Sequence, residues 1–201
     1  LPGDADLVLL PGSKATLADL AFVREQGWDI DLAAHVRRGS AVLGICGGYQ
    51  MLGKTVADPD GVEGEPAEAL GLGLLDIQTT LTAKKKLIEV SGTDLVTGEA
   101  VSGYEMHVGE TTGPDTKRPM LSLTVGKDGA LSADGRVSGS YVHGLFASDN
   151  FRMGFLQKLR PGVQSVLKYE MAIDEALEAL ADHLELYLNL DAVSYTHLRA
   201  H

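Results

Sequence analysis

The first part of the chain consists of short apolar runs that alternate with amphipathic segments. Leu7 to Leu10 is a continuous apolar run, typical of a buried strand in a parallel sheet. Apolar residues recur at helical spacing from Thr16 to Gln26, and a second helix is predicted from Ile30 to Arg38. Another apolar run follows, from Ala41 to Ile45. Two successive strand–helix units predict a parallel sheet with helices on its faces.

Further along the chain, the pattern includes the two-residue alternation of antiparallel strands. It is found in Val101 to Gly109 and in Leu121 to Val125, and Gly135 to Phe146 is predicted to be a further strand. The whole pattern therefore predicts an α/β fold. We expect a mostly parallel central sheet with flanking helices and some antiparallel strands.

Three segments between these elements are predicted from glycine, proline and charge. Thr55 to Leu70 is predicted to be a loop, because it contains several glycines and prolines and its acidic residues suit a solvated surface. Gly71 to Thr79 is predicted to be a strand entered through glycines. The basic run Lys84 to Lys86 is predicted to be a solvated turn.

The two ends of the chain set the expected domain limits. The last periodic segment is a helix that ends near Leu190 and has an apolar stripe suited to core packing. Residues 194–201 have no periodicity, and we interpret them as a non-native tail, with a frayed native tail as the alternative. We therefore predict one domain, residues 1–193, and assign no metal-binding role to His197 or His201. Because the chain has no initiator Met, we expect it to be an internal segment of a longer protein.

Composition narrows the class of protein and its partners. The net charge of -11 and the lack of a Lys/Arg stripe argue against a nucleic-acid interface. The single cysteine cannot form an internal disulfide, which favours a reducing cytoplasm. No apolar run reaches the roughly 18–20 residues that span a membrane. We expect a cytoplasmic protein with no nucleic-acid partner, no membrane partner and no metal ion.

That cysteine, Cys46, lies where the strand Ala41 to Ile45 ends and an amphipathic segment begins. Gly44, Gly47 and Gly48 surround it, as small residues surround the nucleophile at a sharp strand-to-helix turn. A helix N-terminus lowers the pKa of a thiol, and its N–H groups can bind an oxyanion. The pattern predicts a nucleophilic cysteine, and the alternative is a buried, unreactive core cysteine.

Several residues elsewhere in the chain could complete such a site. His143 ends a predicted strand and precedes a glycine, so it is placed to act as the base and acid of thiol acyl transfer. The N–H of Gly47 and one near Gly12 are the expected oxyanion donors. Glu105 and His107 share one strand face and could bind a polar ligand, although a surface ion pair is the simpler interpretation.

The residues around Cys46 resemble a known family. The segment from Gly44 to Gly53 is similar to the nucleophile motif of class I glutamine amidotransferases, which have a flavodoxin-like fold. Four further segments resemble, in the same order, the glutaminase domains of the cobyric acid synthase family. They are Leu10 to Leu20, Gly71 to Leu75, Gly103 to Gly109 and Gly139 to Phe146.

The resemblance implies a function and assigns roles to residues. Cys46 and His143 fall on the family's catalytic positions, and Gln50 falls on a position that helps hold the substrate glutamine. With Gln50, we assign Tyr104, Glu105 and His107 to glutamine binding. The family hydrolyses glutamine through a cysteine thioester and passes ammonia to an N-terminal synthase domain. That domain uses ATP and Mg to amidate a corrinoid, adenosylcobyrinic acid a,c-diamide, to adenosylcobyric acid in cobalamin biosynthesis.

The sequence departs from the wider class in two ways. Many class I enzymes have a glutamate two residues after the histidine, where this chain has Leu145. A carboxylate that orients His143 must then come from elsewhere, with Glu105 as a weak candidate, or a dyad suffices. Second, the N-terminal synthase domain, and with it ATP and Mg binding, is expected outside this chain, and so is the first strand of the glutaminase domain. Gly71-x-Gly73 does not predict a phosphate-binding loop, because no helix follows it.

Other functions stay open at this point. Two related glutaminases would share Cys46 and His143: that of cobyrinic acid a,c-diamide synthase and that of lipid II isoglutaminyl synthase. The segment Tyr104 to His107 and the pair Ser13-Lys14 favour the cobyric acid branch. A non-catalytic binding domain of the same fold is the alternative from another class, and the retained cysteine and histidine argue against it.

Overall fold

The computed structural model describes residues 1–189 of the chain. The chain forms two compact units, Leu1–Gln164 and Ser165–His201. The predicted non-native tail, with His197 and His201, lies outside the described residues.

A four-stranded sheet in the first unit contains both predicted apolar runs. Its strands lie in the order β1, β2, β10, β9, and β2 is parallel to both of its neighbours. The short strand β9 is antiparallel to β10 and closes one side. The bounds of these strands are β1 (Leu7–Leu10), β2 (Ala41–Ile45), β9 (Ala130–Leu131) and β10 (Val137–Ser140).

The helices of the first unit follow the strands as the β-α pattern predicted. The two early helices lie within one or two residues of their predicted limits, with Gly27 between them at φ 69°, a left-handed conformation that suits glycine. A later helix has Ser148 as its N-cap, whose side chain accepts a hydrogen bond from the N–H of Phe151. The bounds are α1 (Thr16–Glu25), α2 (Trp28–Arg37), α3 (Gly47–Met51) and α4 (Asp149–Leu159).

A second, largely antiparallel sheet carries the rest of the unit. Its main path runs β11, β6, β5, β3, β4, and β7 pairs with both β5 and β8. Only the β3–β5 pairing among these is parallel. The bounds are β3 (Thr55–Asp58), β4 (Ala67–Leu70), β5 (Gln78–Asp94), β6 (Ala100–Thr112), β7 (Leu121–Leu123), β8 (Gly126–Asp128) and β11 (Val142–His143).

This second sheet corrects three local predictions. The segment predicted as a loop, Thr55 to Leu70, contains the antiparallel pair β3 and β4. Residues 71–77 are irregular, and the strand begins only at Gln78. The basic run Lys84 to Lys86 lies inside β5, because cross-strand pairing with β6 outweighs the turn preference of the charged residues. The α/β class itself is confirmed.

Two clusters of buried apolar side chains hold the first unit together. One lies among the helices and the first sheet and includes Leu32, Val42 and Tyr49. The other lies against the second sheet and includes Leu43 and Phe151. Val42 and Leu43 are adjacent in β2 and fully buried in different clusters, so β2 is covered on both faces, as its continuous apolar run predicted.

A sharp bend carries the chain from the first sheet to the second. It lies between Ser140, the last residue of β10, and Val142, the first residue of β11. The carboxylate of Asp128 accepts hydrogen bonds from the hydroxyl of Ser140 (2.5 Å) and from the N–H of Tyr141 (3.2 Å). The hydroxyl of Ser140 in turn accepts from the N–H of Val142 (3.0 Å). This network fixes the direction in which the chain leaves the bend toward His143.

The described part of the second unit, up to residue 189, contains helix α5 (Tyr169–Tyr187). Within that helix, the rings of His183 and Tyr187 lie 4.6 Å apart. Among residues 1–189, no helix combines the length and the apolar character needed to cross a membrane.

The bend gives a prediction about stability. Burial raises the pKa of Asp128 in the folded chain. The folded state therefore loses stability as the pH rises from the ordinary carboxyl pKa through this raised value. Asp128→Asn keeps an acceptor without the charge and is expected to match or exceed the parent at neutral pH, an advantage that shrinks as the pH falls. Asp128→Ala leaves buried donors unpaired and is expected to cost roughly 1–3 kcal/mol for each. Urea unfolding of both variants between about pH 5 and 8 measures these differences. An Asn variant as unstable as the Ala variant would contradict this account.

Candidate active site

Cys46 occupies the strained turn that the sequence predicted. It lies directly between the end of β2 and the start of α3, with φ 53° and ψ −113°. Among residues 1–189 it is the only residue other than glycine with a positive φ. Such a conformation costs of order 1–3 kcal/mol and persists only where the surrounding structure enforces it. The strand, turn and helix predicted around Cys46 are therefore present, and its role as a nucleophile stays a prediction.

The glycines around Cys46 are required by close packing. A Cβ on Gly44 would lie 2.7 Å from the backbone of Gly48, and a Cβ on Gly48 would lie 2.1 Å from the carbonyl oxygen of Leu10. The N–H of Gly48 also donates to the carbonyl of Pro11 (3.1 Å). These contacts lock the elbow against the loop that follows β1. Any side chain at either glycine would push Cys46 out of position.

Cys46 and His143 meet at one backbone atom, the carbonyl oxygen of Met106. The thiol of Cys46 donates to this oxygen at 3.2 Å, and Nε2 of His143 lies 3.2 Å from it. Gly12 lies beside both residues, since a Cβ there would be 3.4 Å from Cε1 of His143 and 3.6 Å from Cβ of Cys46. The structure thus brings together three of the predicted residues, Gly12, Cys46 and His143, from three separate segments of the chain.

The electrostatics of the thiol differ from the sequence-based expectation. We expected the helix N-terminus to lower the pKa of Cys46, but burial has the larger effect and raises it. The N–H of Gly47 works in the opposite direction by bonding to the sulfur, and the negative charge of Glu63 raises the pKa further. The resting state is therefore a thiol, as its hydrogen bond to Met106 also indicates. The Gly47 N–H does point to the sulfur, as predicted.

Glu63 is a site residue that the sequence analysis missed. Its carboxylate accepts hydrogen bonds from the N–H (2.5 Å) and the hydroxyl (3.0 Å) of Thr16, the first residue of α1. The buried carboxylate of Asp58 holds the loop in place through the N–H groups of Val62 (2.7 Å) and Glu63 (2.9 Å). The composition of loop 59–66 did not single out Glu63, because its bonds to Thr16 depend on the backbone path that Asp58 fixes.

Gln50 links the two halves of the site. Its side-chain oxygen shares the Thr16 hydroxyl proton with Glu63, at the longer distance of 3.3 Å. Its Nε2 donates to the carbonyl of Val108 (3.0 Å) and to the hydroxyl of Tyr141 (3.2 Å). Gln50 is 2% exposed. Its polar atoms are thus bonded to the protein, which shows it supporting the walls of the site. Direct contact with glutamine stays a prediction.

The three residues predicted from β6 lie on two faces of the strand. Tyr104 lies opposite His143 in the pairing of β6 with β11, and their rings stack with centroids 5.1 Å apart. Glu105 projects to the other face, where Oε1 binds Nζ of Lys86 (2.7 Å) and Nε2 of His107 (2.9 Å). The structure therefore does not place Glu105 as the carboxylate that orients His143.

Glu105 and His107 line a separate cavity of about 500 Å³. The ring of His107 stacks on that of Tyr141, with centroids 3.8 Å apart. Burial raises the pKa of Tyr141 to about 12, so its hydroxyl stays protonated and can bond to Thr111 (2.5 Å). Glu105 and His107, both predicted to bind glutamine, therefore line a cavity that contains neither Cys46 nor His143. Within residues 1–189, no group of three or more His, Cys, Asp or Glu is arranged to hold a metal ion.

The chain is similar to known proteins of one family. A family model described as a CobB/CobQ-like glutamine amidotransferase domain matches residues 1–151. Two curated relatives, both named cobyric acid synthase, are 55% identical to the chain: one from Methylorubrum populi over 196 residues and one from Paracoccus denitrificans over 191. These matches cover 96% and 95% of this chain but only 40% and 39% of the relatives. The chain spans about 40% of the length of the curated relatives it matches.

Solved structures share the fold. One titled as a glutamine amidotransferase has a TM-score of 0.55 and 19% identity, covering 80% of this chain and 82% of its own. PurLQS from Thermotoga maritima has a TM-score of 0.54 and 17% identity, covering 79% and 82%. At this level of identity, the likeness shows the fold alone. It confirms the class I glutamine amidotransferase-like fold that the sequence predicted.

The thiol environment gives a prediction about reactivity. Because burial and Glu63 raise the pKa of Cys46, alkylation by iodoacetamide without glutamine is expected to accelerate up to and beyond about pH 8.5, the ordinary pKa of a free thiol. Glu63→Gln removes one of these causes and should move the midpoint to lower pH. Since Cys46 is the only cysteine, intact mass gives its alkylation rate directly.

Glu65→Gln is the matched control, because Glu65 is an exposed acid of the same loop. It should leave the midpoint unchanged. The account would be contradicted if the parent's alkylation midpoint lay well below the pKa of a free thiol, or if both variants shifted it equally. Either result would show that burial and Glu63 do not determine the pKa of Cys46.

Proposed function

We propose, from the premise that this chain belongs to the family of CobB/CobQ-like glutamine amidotransferase domains, that Cys46 hydrolyses glutamine through a thioester. The observation that carries the proposal is the convergence of Cys46 and His143 on the carbonyl of Met106. A strained thiol beside a histidine is the arrangement that acyl transfer requires.

In this mechanism, the Met106 carbonyl serves both members of the pair. It accepts from the thiol at rest, and it can accept from Nε2–H of His143 once the proton has moved to the imidazole. The thiolate then attacks the side-chain carboxamide carbon of glutamine, forming the C–S bond. The C–N bond breaks as His143 gives its proton to the leaving nitrogen, which departs as ammonia. Water, deprotonated by His143, hydrolyses the thioester to glutamate and restores the thiol.

Backbone N–H groups support the charged intermediate. The N–H of Gly47 already points to the sulfur, and Gly12 lies against both Cys46 and His143. We assign the oxyanion to the N–H groups of Gly47 and Gly12. One donor of this kind typically contributes about 2.7–4 kcal/mol to the transition state.

Glu63 supplies a charge that suits the other end of the substrate. Free glutamine carries an α-ammonium group, and Glu63 is an acid whose charge the Cys46 thiol senses. It is held rigidly by Thr16 and by the Asp58-bound loop. We assign Glu63 to the α-ammonium of glutamine. The negative charge that disfavours the resting thiolate is then balanced by the substrate, so that binding itself favours ionisation of Cys46.

The relatives indicate the larger reaction in which the ammonia is used. Because they are named cobyric acid synthase, we propose that a synthase region outside this chain accepts the ammonia. It would use ATP and Mg to amidate adenosylcobyrinic acid a,c-diamide to adenosylcobyric acid in the cytoplasm. The relatives' name favours this over the a,c-diamide and lipid II alternatives, and the enforced strain at Cys46 weighs against a non-catalytic binding domain.

The experiment that tests the proposed site is labelling with the diazo-ketone analogue of glutamine. One adduct on Cys46 is expected by intact mass and peptide mapping, and none with Cys46→Ser. Glu63→Gln should need at least about tenfold more analogue for half-maximal labelling, because a charge-assisted hydrogen bond contributes roughly 1.5–3 kcal/mol. Glu65→Gln should behave like the parent. A folded parent chain that takes up no analogue, or labels equally without Glu63, would contradict the proposal.

A further inference from the structure

Among residues 1–189, no carboxylate is bonded to the ring of His143, although a catalytic imidazole must be held in a fixed orientation. Leu145 is 2% exposed and packs in the core cluster that contains Phe151. Glu105 is bonded to Lys86 and His107 on the other face of β6. Neither residue orients His143, so the imidazole ring must be held by other neighbours.

Besides Gly12, which lies beside the ring, the contacts of His143 come from strand β6. Gly103 admits the histidine backbone, since a Cβ there would lie 2.0 Å from the carbonyl oxygen of His143. Two residues before the Met106 carbonyl, Tyr104 is the direct register partner of His143. Its ring is parallel to the imidazole within 5°, with centroids 5.1 Å apart. The Met106 carbonyl thus fixes where Nε2 of His143 lies, and the Tyr104 ring fixes the plane of the imidazole.

Tyr104 lies on an open face of the second sheet, where it also lines a shallow cavity with Leu87 and Glu89. It is 42% exposed, so it contributes little to the core. Its neighbour across the sheet, Glu89, is a polar residue, and Leu87 on the same face is 61% exposed. The exposed ring of Tyr104 lies flat on the half-buried His143. This arrangement can restrain the imidazole as a cation, because the face of a phenol ring attracts an imidazolium.

We propose that Tyr104 is the positioning residue of His143, in place of a carboxylate. This inference rests on the proposed glutaminase function and assigns Tyr104 a role other than glutamine binding. The stacked ring restrains rotation of the imidazole while the thiolate attacks and ammonia leaves. Tyr104 acts through His143 and does not touch the reacting atoms.

The test compares four variants in steady-state glutamine hydrolysis. Tyr104→Ala is expected to lower kcat about 10- to 100-fold with KM within about twofold of the parent, because misorientation affects the chemical step. Tyr104→Phe keeps the flat ring and should restore kcat to within about threefold. Tyr104→Leu fills the space without a π face and should fall with the Ala variant. Leu87→Ala, an exposed apolar neighbour on the same sheet face, is the matched control and should equal the parent.

Each outcome has a distinct meaning. A kcat restored by Leu as well as by Phe would assign Tyr104 to simple packing, and a raised KM with unchanged kcat would assign it to substrate binding. Either result would overturn the inference while leaving the glutaminase intact. If the parent chain neither turns over glutamine nor takes up the diazo-ketone analogue, the proposed function itself fails. Thermal unfolding of the Ala variant close to the parent excludes loss of folding as the cause.

Discussion

The carbonyl oxygen of Met106 is the atom on which the arrangement of this site depends. The thiol that reaches it comes from the end of β2 in the first sheet, whereas His143 comes from β11 in the second. The bend at Ser140 and Tyr141 carries the chain from the first sheet to the second just before His143. Catalytic geometry in this protein is therefore a matter of how two sheets are joined. The Asp128 network at the bend positions His143, and the glycine packing at the elbow positions Cys46, so both support the same meeting point at Met106.

The elbow could be predicted from sequence because its determinants are local. A β-branched or aliphatic run, flanking glycines and a cysteine within ten residues are enough to define strand, turn and helix. His143 could be predicted for a similar reason, since it ends a strand before a glycine with φ 83°. Strands β1 and β2 and helices α1 and α2 followed from periodicity alone, whereas β9 was not predicted.

What could not be predicted depends on pairing between distant segments. The stack of Tyr104 on His143 follows from the register of β6 with β11, two strands that are far apart in sequence. Glu63 reaches Thr16 because buried Asp58 shapes the intervening loop, a contact that composition does not reveal. The raised pKa of Cys46 reflects burial in the assembled fold, whereas the sequence pattern showed only the opposing helix terminus. The length of β5 could not be predicted either, because the charged run Lys84 to Lys86 favours a turn and is held in the strand by pairing with β6.

The central claim is that Cys46 forms a covalent glutamyl thioester, and hydroxylamine partitioning tests it most directly. Hydroxylamine added during glutamine turnover should intercept the thioester, giving γ-glutamyl hydroxamate at the expense of glutamate while ammonia release continues. With Cys46→Ala, hydroxamate and ammonia should both disappear. Turnover that survives in Cys46→Ala, or ammonia and glutamate that stay equimolar at every hydroxylamine concentration, would contradict the account.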